Sequence, residues 1–173
     1  AVEQIRPMLN PDTKILTLQN GIGNLEIIAE LAGDERVLAG VTNQGATLIE
    51  TGKVRHAGQG ETIIGACDGK TPVQLRSIRE IFNKVGLDCK MSRDIKGLLW
   101  SKLIINVGIN ALSGLTRLPN GKLIAYEGTR GILRDAVTEA VRIVKRKRIK
   151  LIFDDPLAKV EAVCEATAGN TCS

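Results

Sequence analysis

Short apolar runs alternate with amphipathic segments over the first half of the chain. The runs KILTLQ, RVLAGVTN and LDCKMS predict short strands, and residues 24–32 and 72–85 have the apolar spacing of helices. We expect Asn24 to cap the first of these helices and Pro72 to lie in the first turn of the second. Strands that alternate with helices predict an α/β fold with a parallel sheet.

The segment between these elements has a different pattern. In ATLIETGKVRHAGQGETIIGA, residues 46–66, two β-rich runs flank Glu50–Lys53 and a third follows the Gly-Gln-Gly at 58–60. Runs of this kind joined by glycine-containing turns predict an antiparallel hairpin or a meander.

After Arg93 the periodicity becomes helical throughout. DIKGLLWSKLIINVGINALSGL predicts a long helix that Asp94 caps. Residues 122–149 predict a second helix with an interruption at 128–131. A last helix begins at Asp154 or Asp155, with Pro156 in its first turn. The sequence therefore predicts two domains: residues 1–93 are α/β and residues 94–173 are all helix.

Composition and charge exclude some functions. Of the 173 residues, 43% are apolar, which is enough for a core, whereas aromatic residues at 2% are too few for nucleic-acid stacking platforms. The net charge of +5 resides entirely in residues 94–173, and much of it in VRIVKRKRIK, residues 141–150. This run is either an anion-binding patch or the solvated end of an amphipathic helix. We favour the second interpretation, because no nucleic-acid motif accompanies it.

Neither a membrane span nor a metal site is expected. Lys, Asn or Gly interrupts each apolar run, and the first ten residues lack the apolar segment of a signal peptide. The cysteines form no C-x-x-C pair, and a single histidine accompanies them, so we expect no zinc site. Scattered cysteines beside a sizeable core predict reduced thiols and a cytoplasmic location; they stand at positions 67, 89, 164 and 172.

A glycine turn follows the first strand. In QNGIGN, residues 19–24, a dinucleotide-binding fingerprint would need a third glycine where Glu26 stands, so the fingerprint is absent. The turn is either a ligand-binding turn at the carboxyl end of a strand or an ordinary connection, and the spacing favours neither. The lone His56, on a predicted strand, is more typical of a surface residue than of a catalyst.

Three polar residues interrupt the apolar surface of the long helix. Lys102, Asn106 and Asn110 are four residues apart, so each lies about 40° further round the helix than the last and the three form one stripe. The stripe is either a solvent face or a polar wall that faces a ligand. We favour the wall, because asparagine costs several tenths of a kcal/mol of helix propensity at each position.

The stripe suits one kind of chemistry. Apolar surroundings disfavour the charged form of a lysine, which lowers its pKa towards the range useful for proton transfer. Asparagine amides both donate and accept hydrogen bonds without adding charge. A small hydroxy- or oxo-acid fits such a wall, with Lys102 as donor of a proton to a developing alkoxide.

The same residues lie in motifs that resemble those of the 2-dehydropantoate 2-reductases, or ketopantoate reductases. LQNGIGN is similar to the family's L-Q-N-G-x-G, and GVTNQGATLIETGKVRHAGQGETIIG resembles its G-V-T-x-x-G-A segment and hairpin. The helix WSKLIINVGINAL resembles W-x-K-L-x-x-N-x-x-I-N-x-L. DDPL and ATAGNTCS resemble the closing D-x-P and T-A-x-N-x-S-S.

The resemblance implies an activity and the residues that perform it. The family reduces 2-dehydropantoate to (R)-pantoate with NADPH, on the route to pantothenate and coenzyme A. By residue-to-residue match, Lys102 is the proton donor, and Asn20 and Ala46 contact the cofactor. The match also implies a set of substrate-binding residues, namely Asn20, Asn106, Asn110, Asn120, Asn170 and Ser173.

The resemblance also refines the fold. It implies that residues 1–93 are the C-terminal part of a Rossmann-type NADP-binding domain with an antiparallel hairpin. Residues 94–173 would belong to a helical domain of the 6-phosphogluconate dehydrogenase C-terminal type. The expected partner is a small-molecule 2-oxo acid, with a homodimer left open and neither nucleic acid nor membrane expected.

The chain departs from the family pattern at several points. The family's glycine-rich loop would precede these residues and its cofactor-contacting Glu would follow them, so we expect an internal portion of a longer protein. Cys172 replaces a serine of the closing motif, and KRKRIKLIF replaces a usually small-residue stretch. Two alternatives therefore stay open: a related reductase of another 2-oxo acid, and a non-catalytic binding fragment.

Overall fold

The computed structural model describes residues 2–171 and divides into two compact units. The first unit is Ala1–Leu99 and the second is Trp100–Ser173. The boundary falls inside the long helix, a few residues after the position that the change in sequence pattern predicts. Each unit has its own apolar core.

The first unit contains α-helices, six strands and short 3-10 turns at Arg6–Met8 and Asp34–Arg36. Its elements in chain order are α1 Val2–Ile5, β1 Ile15–Thr17, α2 Asn24–Ala32, β2 Val37–Thr42, β3 Gly45–Glu50, β4 Lys53–Gly58, β5 Thr62–Ala66, α3 Val73–Lys84 and β6 Cys89–Met91. The predicted strands and helices are all present, and Pro72 precedes α3 directly.

The main sheet is mixed, so the prediction of a parallel sheet needs correction. Its strand order is β1-β2-β5-β6, in which β2 and β5 are antiparallel while the two outer pairs are parallel. Strands β3 and β4 form a separate two-stranded sheet. After this hairpin the chain returns alongside β2 in the opposite direction, which reverses β5. The core beside the sheet consists of Leu38, Ile64, Ala66, Leu75 and Cys89.

The start of α2 also differs from the prediction. Gly23, not Asn24, is the N-cap residue, and it has a φ of 95°. Asn24 is the first helical residue, and its Nδ2 donates to the carbonyl oxygen of Asn20 at 3.4 Å. Glycine adopts this left-handed backbone without steric penalty, which moves the cap one residue towards the N-terminus.

The second unit is helical, as predicted. Its long helix α4, Ile95–Thr116, begins in the first unit and is followed by α5 Asn120–Ala125, α6 Glu127–Arg146 and α7 Pro156–Ala166. Helices α4 to α7 pack around one buried cluster, which contains Ile104, Ile109, Leu123, Leu133, Val137, Val144, Val160 and Cys164. The α/β unit followed by an all-helical unit confirms the predicted fold class.

The predicted interruption near residues 128–131 is present but lies two residues earlier. The break falls at Tyr126, whose backbone is extended, and residues 128–131 lie inside α6. The Thr129 hydroxyl donates to the carbonyl oxygens of Leu123 at 2.7 Å and Tyr126 at 3.1 Å. These bonds join α5 to the first turn of α6, so the glycines on either side of Thr129 are held in a helix.

Aspartate side chains cap the helices where the sequence indicates. Asp94 Oδ1 accepts a hydrogen bond from the backbone N–H of Gly97 at 2.9 Å, which confirms it as the cap of α4. Asp155 Oδ1 accepts from the N–H of Ala158 at 3.0 Å, and Pro156 is the first residue of α7. Each cap satisfies a backbone donor that has no partner within its helix.

We expect Asp94→Ala to lower the free energy of unfolding by about 1 kcal/mol, because the substitution removes this acceptor. Urea unfolding of the protein that carries this chain measures the change. Asp94→Asn is the matched control, since its amide oxygen can still cap the helix. Equal destabilisation by both substitutions would contradict a capping role for Asp94.

The expectation that no segment could span a bilayer needs correction for α4. This helix has 22 residues and few charged side chains, so its length and composition alone would allow it to cross a membrane. The interrupting Lys102, Asn106 and Asn110 are too few to prevent this. The observation is weak evidence for a membrane, because the core helix of a globular unit passes the same test.

The basic run 141–150 lies at the end of α6 and in the segment after it. Val144 is buried in the core of the helical unit, and Val141 and Ile149 pack against that core. All the Lys and Arg side chains of the run are exposed. This arrangement is that of the solvated end of an amphipathic helix, the interpretation that the sequence favours.

Candidate active site

The predicted polar stripe lies on α4, away from the core of the helical unit. With Ser101 as the origin, Ile104 and Ile109 lie within about 80° around the helix, and both are buried in the core. Lys102 and Asn110 lie at about 100° and 180° from the same origin, with Asn106 between them. The stripe therefore begins at the edge of the core-facing side, about 20° beyond Ile109, and turns away from the core towards Asn110.

Burial varies along this stripe. Lys102 and Asn106 are half-buried, whereas Asn110 is exposed. Desolvation by burial lowers the pKa of the Lys102 ammonium below its ordinary value. Desolvation acts in this direction because burial disfavours the charged form of a lysine. A lowered pKa makes the ammonium a better proton donor near neutral pH, which is the property that the sequence analysis predicts.

The lowered pKa of Lys102 has a consequence for stability that can be measured. Between that lowered pKa and the ordinary lysine value, the unfolded chain binds more protons than the folded one, so stability rises with pH. At pH 7 the folded protein holds the lysine charged at a cost. We therefore expect Lys102→Met to raise the free energy of unfolding at pH 7, and the gain to shrink as the pH rises towards the ordinary lysine pKa.

Urea unfolding of the wild type and Lys102→Met across this pH range tests the expectation. Lys96→Met, at an exposed position of the same helix, is the matched control and should show no such trend. A gain that grows with pH in Lys102→Met would contradict a lowered pKa.

Asn120 and Asn170 are brought together, although 50 residues separate them in the sequence. The backbone N–H of Asn120 donates to the carbonyl oxygen of Asn170 at 2.8 Å. Asn120 Nδ2 donates to Thr167 Oγ1 at 2.9 Å. Asn120 is 7% exposed, and Asn170 is exposed. Ser173, the remaining residue that the resemblance assigns to this part of the chain, lies outside the described residues.

Asn20 lies in the first unit, in the exposed turn between β1 and α2. The adjacent Gly21 and Gly23 have φ angles of 91° and 95°, and a Cβ added to either would meet no atom within 4 Å. The turn thus leaves open backbone at the carboxyl end of a parallel strand, where α/β sheets bind ligands. This open backbone leaves room for a ligand to approach the turn.

Ala46 lies on β3 of the hairpin, opposite His56 on β4. Both residues are exposed. The Nε2 atom of His56 is 2.8 Å from Oε1 of Gln44, and Gln44 Nε2 donates to the carbonyl oxygen of Gly60. His56 thus has a hydrogen-bonding partner at the base of the hairpin, which fits the interpretation of a surface histidine.

The first unit contains a cavity of about 900 Å³ that was not predicted from the sequence. Lys14 and Val37, which precede β1 and begin β2, contribute to its lining, as do Cys67 and Lys96. It therefore opens at the amino ends of the parallel strands, opposite the edge where Asn20 follows β1. Four segments far apart in sequence form it, and no local motif signals such a cavity.

Thr167 and Ser101 are polar residues of the helical unit whose hydrogen bonds were not predicted from the sequence. Ser101 is 1% exposed, and its Oγ accepts from the N–H of Ile152 at 3.0 Å. Thr167 binds the side chain of Asn120, as described above. The available signal for Thr167 is its position in ATAGNTCS, a motif in which only Asn170 and the closing serine attract attention as ligands.

Comparison with known proteins identifies the family. The family model "Ketopantoate reductase PanE/ApbA" matches residues 1–69, and the model for the C-terminal part of the same family matches residues 94–173. The chain belongs to the ketopantoate reductase family. These matches confirm the resemblance found in the sequence motifs and cover both units.

Curated relatives and solved structures agree with this membership. The 2-dehydropantoate 2-reductase of Halobacterium salinarum is 35% identical over 159 residues, which are 92% of this chain and 52% of the relative. A PanE/ApbA family ketopantoate reductase from Ralstonia eutropha JMP134 has a TM-score of 0.88 and 30% identity, over 99% of this chain and 55% of that one. The chain thus spans about half the length of the relatives it matches.

A more distant structure shares the fold of this ketopantoate reductase family member. The complex of D-mandelate dehydrogenase with NADH has a TM-score of 0.83 at 22% identity, and the match covers 95% of this chain and 54% of that one. At this identity the likeness concerns the fold alone. The same α/β and helical architecture therefore occurs in a dehydrogenase structure that contains a nicotinamide cofactor.

Proposed function

We propose that the protein carrying this chain reduces 2-dehydropantoate to (R)-pantoate with NADPH. Its family membership supports this reaction, since the curated relatives are 2-dehydropantoate 2-reductases. One observation carries the proposal for the mechanism: Lys102 is half-buried and burial lowers its pKa, on the same helix face as Asn106 and Asn110. A proton donor and two uncharged amides can bind a small oxo-acid and protonate its oxygen when a hydride reduces the ketone.

In this mechanism Lys102 acts as the general acid. Reduction of a ketone at C2 places a negative charge on its oxygen, and the ammonium of Lys102 gives that oxygen a proton. Before the transfer, the same ammonium stabilises the developing charge by a charge-assisted hydrogen bond. The lowered pKa of Lys102 reduces the free-energy cost of losing this proton to the alkoxide.

Asparagine side chains would hold the substrate. Asn106 and Asn110 lie one and two turns beyond Lys102 on the stripe, so their amides can bind the carboxylate or hydroxyl of an acid whose ketone oxygen meets the lysine. An uncharged wall leaves the ammonium as the only charge of the stripe, which would orient an anionic substrate. Asn170 and Ser173 are proposed to complete the substrate site.

Asn20 and Ala46 are the residues of this chain that would contact the cofactor. When bound, the nicotinamide supplies the hydride that reduces C2. The open glycine turn beside Asn20 and the exposure of Ala46 on β3 leave both backbone segments accessible. The preference for NADPH over NADH rests on the family resemblance.

The rate of NADPH oxidation with 2-dehydropantoate, compared with a panel of other 2-oxo acids, tests the proposal. We expect the highest kcat/KM with 2-dehydropantoate and NADPH, and a lower value with NADH. A higher kcat/KM with a different 2-oxo acid would favour the alternative of a related reductase. No oxidation of NADPH or NADH with any acid would contradict an oxidoreductase. The cytoplasmic location and a homodimer stay predictions.

A further inference from the structure

His56 and Ala46 share one face of the hairpin. They are directly opposite in the antiparallel pairing of β3 and β4, so their side chains project from the same face with Cβ atoms about 5 Å apart. Both residues are exposed, and the methyl group of Ala46 is too small to cover the imidazole ring. A ligand that contacts Ala46 on this face is therefore within reach of His56.

The base of the hairpin lies beyond the carboxyl edge of the main sheet. Strands β1 and β2 are parallel neighbours, so Asn20, which follows β1, and Gln44, which follows β2, lie at the same edge. The backbone of Gln44 is held there, because its N–H donates to Thr42 Oγ1 at 3.2 Å. Thr42 Oγ1 in turn lies 2.8 Å from Oγ1 of the buried Thr62.

The side chain of Gln44 holds the imidazole ring of His56 in one tautomer. Gln44 Nε2 donates to the carbonyl oxygen of Gly60, so Oε1 of the same amide is the atom that faces His56 Nε2, at 2.8 Å. Because an amide oxygen can only accept, the hydrogen of the neutral ring lies on Nε2. Nδ1 is then an acceptor, and no residue of the described part of the chain donates to it.

The carbonyl group that anchors the Gln44 amide is fixed as well. The backbone N–H of Asn43 donates to the carbonyl oxygen of Glu61 at 3.0 Å. A Cβ added to Gly60 would collide with the carbonyl oxygen of Asn43, so the two segments approach as closely as glycine allows. The amide of Gln44 therefore has a rigid partner on one side and the imidazole ring on the other.

The proposed cofactor carries a donor that matches this acceptor. The family resemblance assigns Asn20 to both cofactor and substrate, so the reacting nicotinamide ring would lie at this edge of the sheet. The only hydrogen-bond donor on that ring is the N–H of its carboxamide group. A neutral imidazole with a free Nδ1 can accept from this N–H, whereas a second carbonyl group cannot donate to Nδ1.

We propose that His56 binds the carboxamide N–H of the nicotinamide through Nδ1, and that Gln44 is the positioning residue that holds the ring in the required tautomer. The inference deepens the proposed function and rests on its assignment of Asn20 and Ala46 to the cofactor. It adds a side chain of the hairpin to the cofactor site and makes that side chain selective for a carboxamide.

The test compares two reduced cofactors that differ only in this group. In the 3-acetylpyridine analogue of NADPH an acetyl group replaces the carboxamide, which keeps the carbonyl oxygen but removes the N–H. Isothermal titration calorimetry of the protein that carries this chain gives a Kd for each cofactor. We expect the wild type to prefer NADPH, and His56→Phe to lower this preference about threefold to tenfold, the range of one neutral hydrogen bond.

Two further variants serve as controls for His56→Phe. His56→Asn can place an amide oxygen where Nδ1 lies and should keep the preference within about twofold of the wild type. Thr47→Val changes an exposed residue next to Ala46 whose side chain points to the opposite face of β3, and it should also leave the preference unchanged. His56 and Thr47 are exposed, so none of these substitutions removes a core contact.

Gln44→Met tests the positioning role, because it keeps the length of the side chain but removes the amide. Alone it should lower the preference for NADPH, since the imidazole ring is no longer held. In a protein that already carries His56→Phe it should lower the preference no further. An equal additional loss in the double variant would contradict a role of Gln44 that acts through His56.

The other outcomes separate this inference from the proposed function. An unchanged preference in His56→Phe, or a wild type that binds both cofactors equally well, would overturn the contact between His56 and the carboxamide. So would a loss in Thr47→Val as large as that in His56→Phe. A wild type that binds NADPH but does not oxidise it with any 2-oxo acid would overturn the proposed function, while the Kd values would still test the contact.

Discussion

Lys102→Ala should lower kcat/KM for reduction of 2-dehydropantoate by about 10²- to 10⁴-fold, the range that a general acid contributes. The substitution removes both the proton donor and the positive charge that would stabilise the developing alkoxide. The initial rate of NADPH oxidation, measured at several substrate concentrations, gives kcat and KM separately. A loss concentrated in kcat indicates an interaction made mainly in the transition state.

Two controls separate the possible roles of Lys102. Lys96→Ala removes an exposed lysine from the same helix and should leave kcat/KM within about twofold. Lys102→Arg keeps a positive charge, but a guanidinium holds its protons too tightly to donate one near neutral pH. We therefore expect Lys102→Arg to recover substrate binding more than turnover. Near-normal turnover in Lys102→Ala would refute the assigned role.

Ile104→Ala should have the largest effect on stability, a loss of about 2–5 kcal/mol in the free energy of unfolding. Ile104 is 0% exposed in the cluster around which α4 to α7 pack. Truncation removes its apolar contacts and leaves a cavity that the rigid helices fill only in part. Urea unfolding of the protein that carries this chain measures the loss as a lower transition midpoint.

Ile132→Ala is the matched control for this prediction. Ile132 lies on α6 of the same unit and is 58% exposed, so the same truncation creates no cavity. Its cost should stay below about 1 kcal/mol. Equal losses at the two positions would contradict the placement of Ile104 in the core, and with it the direction in which the stripe on α4 faces.

The local features of the fold were accessible from the sequence. Asp94 caps α4 and Asp155 caps α7 as predicted, because a cap depends on residues only three positions away. The length of α4 follows from a mostly apolar run over its 22 residues, and the stripe follows from three polar residues spaced four apart. These features depend on residues within one or two turns and were predicted correctly, whereas the cap of α2 was not, because Gly23 adopts the left-handed backbone.

Features that depend on the pairing of segments far apart in the chain were not predicted from the sequence. Nothing in TIIGA specifies that β5 runs antiparallel to β2, since the apolar pattern of a strand is the same in either direction. The interruption expected near residues 128–131 falls at Tyr126 instead, because the Thr129 hydroxyl bonds backbone carbonyls before it and the glycines on either side lie inside α6. Both outcomes depend on contacts that helix and strand propensities do not include.

The same distinction applies to the candidate site. The sequence suggests Lys102, Asn106 and Asn110 because they share one helix face. The contact between Thr167 and Asn120 became visible only in the fold, since 47 residues separate the two in sequence. The lowered pKa of Lys102 likewise depends on tertiary burial, which a periodic pattern indicates only in general terms.

A crystal structure of the protein that carries this chain, in complex with 2-dehydropantoate and the oxidised cofactor, measures the central claim directly. We expect the Nζ atom of Lys102 to lie about 3 Å from the ketone oxygen of the acid, within hydrogen-bonding distance. A Lys102 ammonium beyond the reach of that oxygen, with a different donor in its place, would contradict the account.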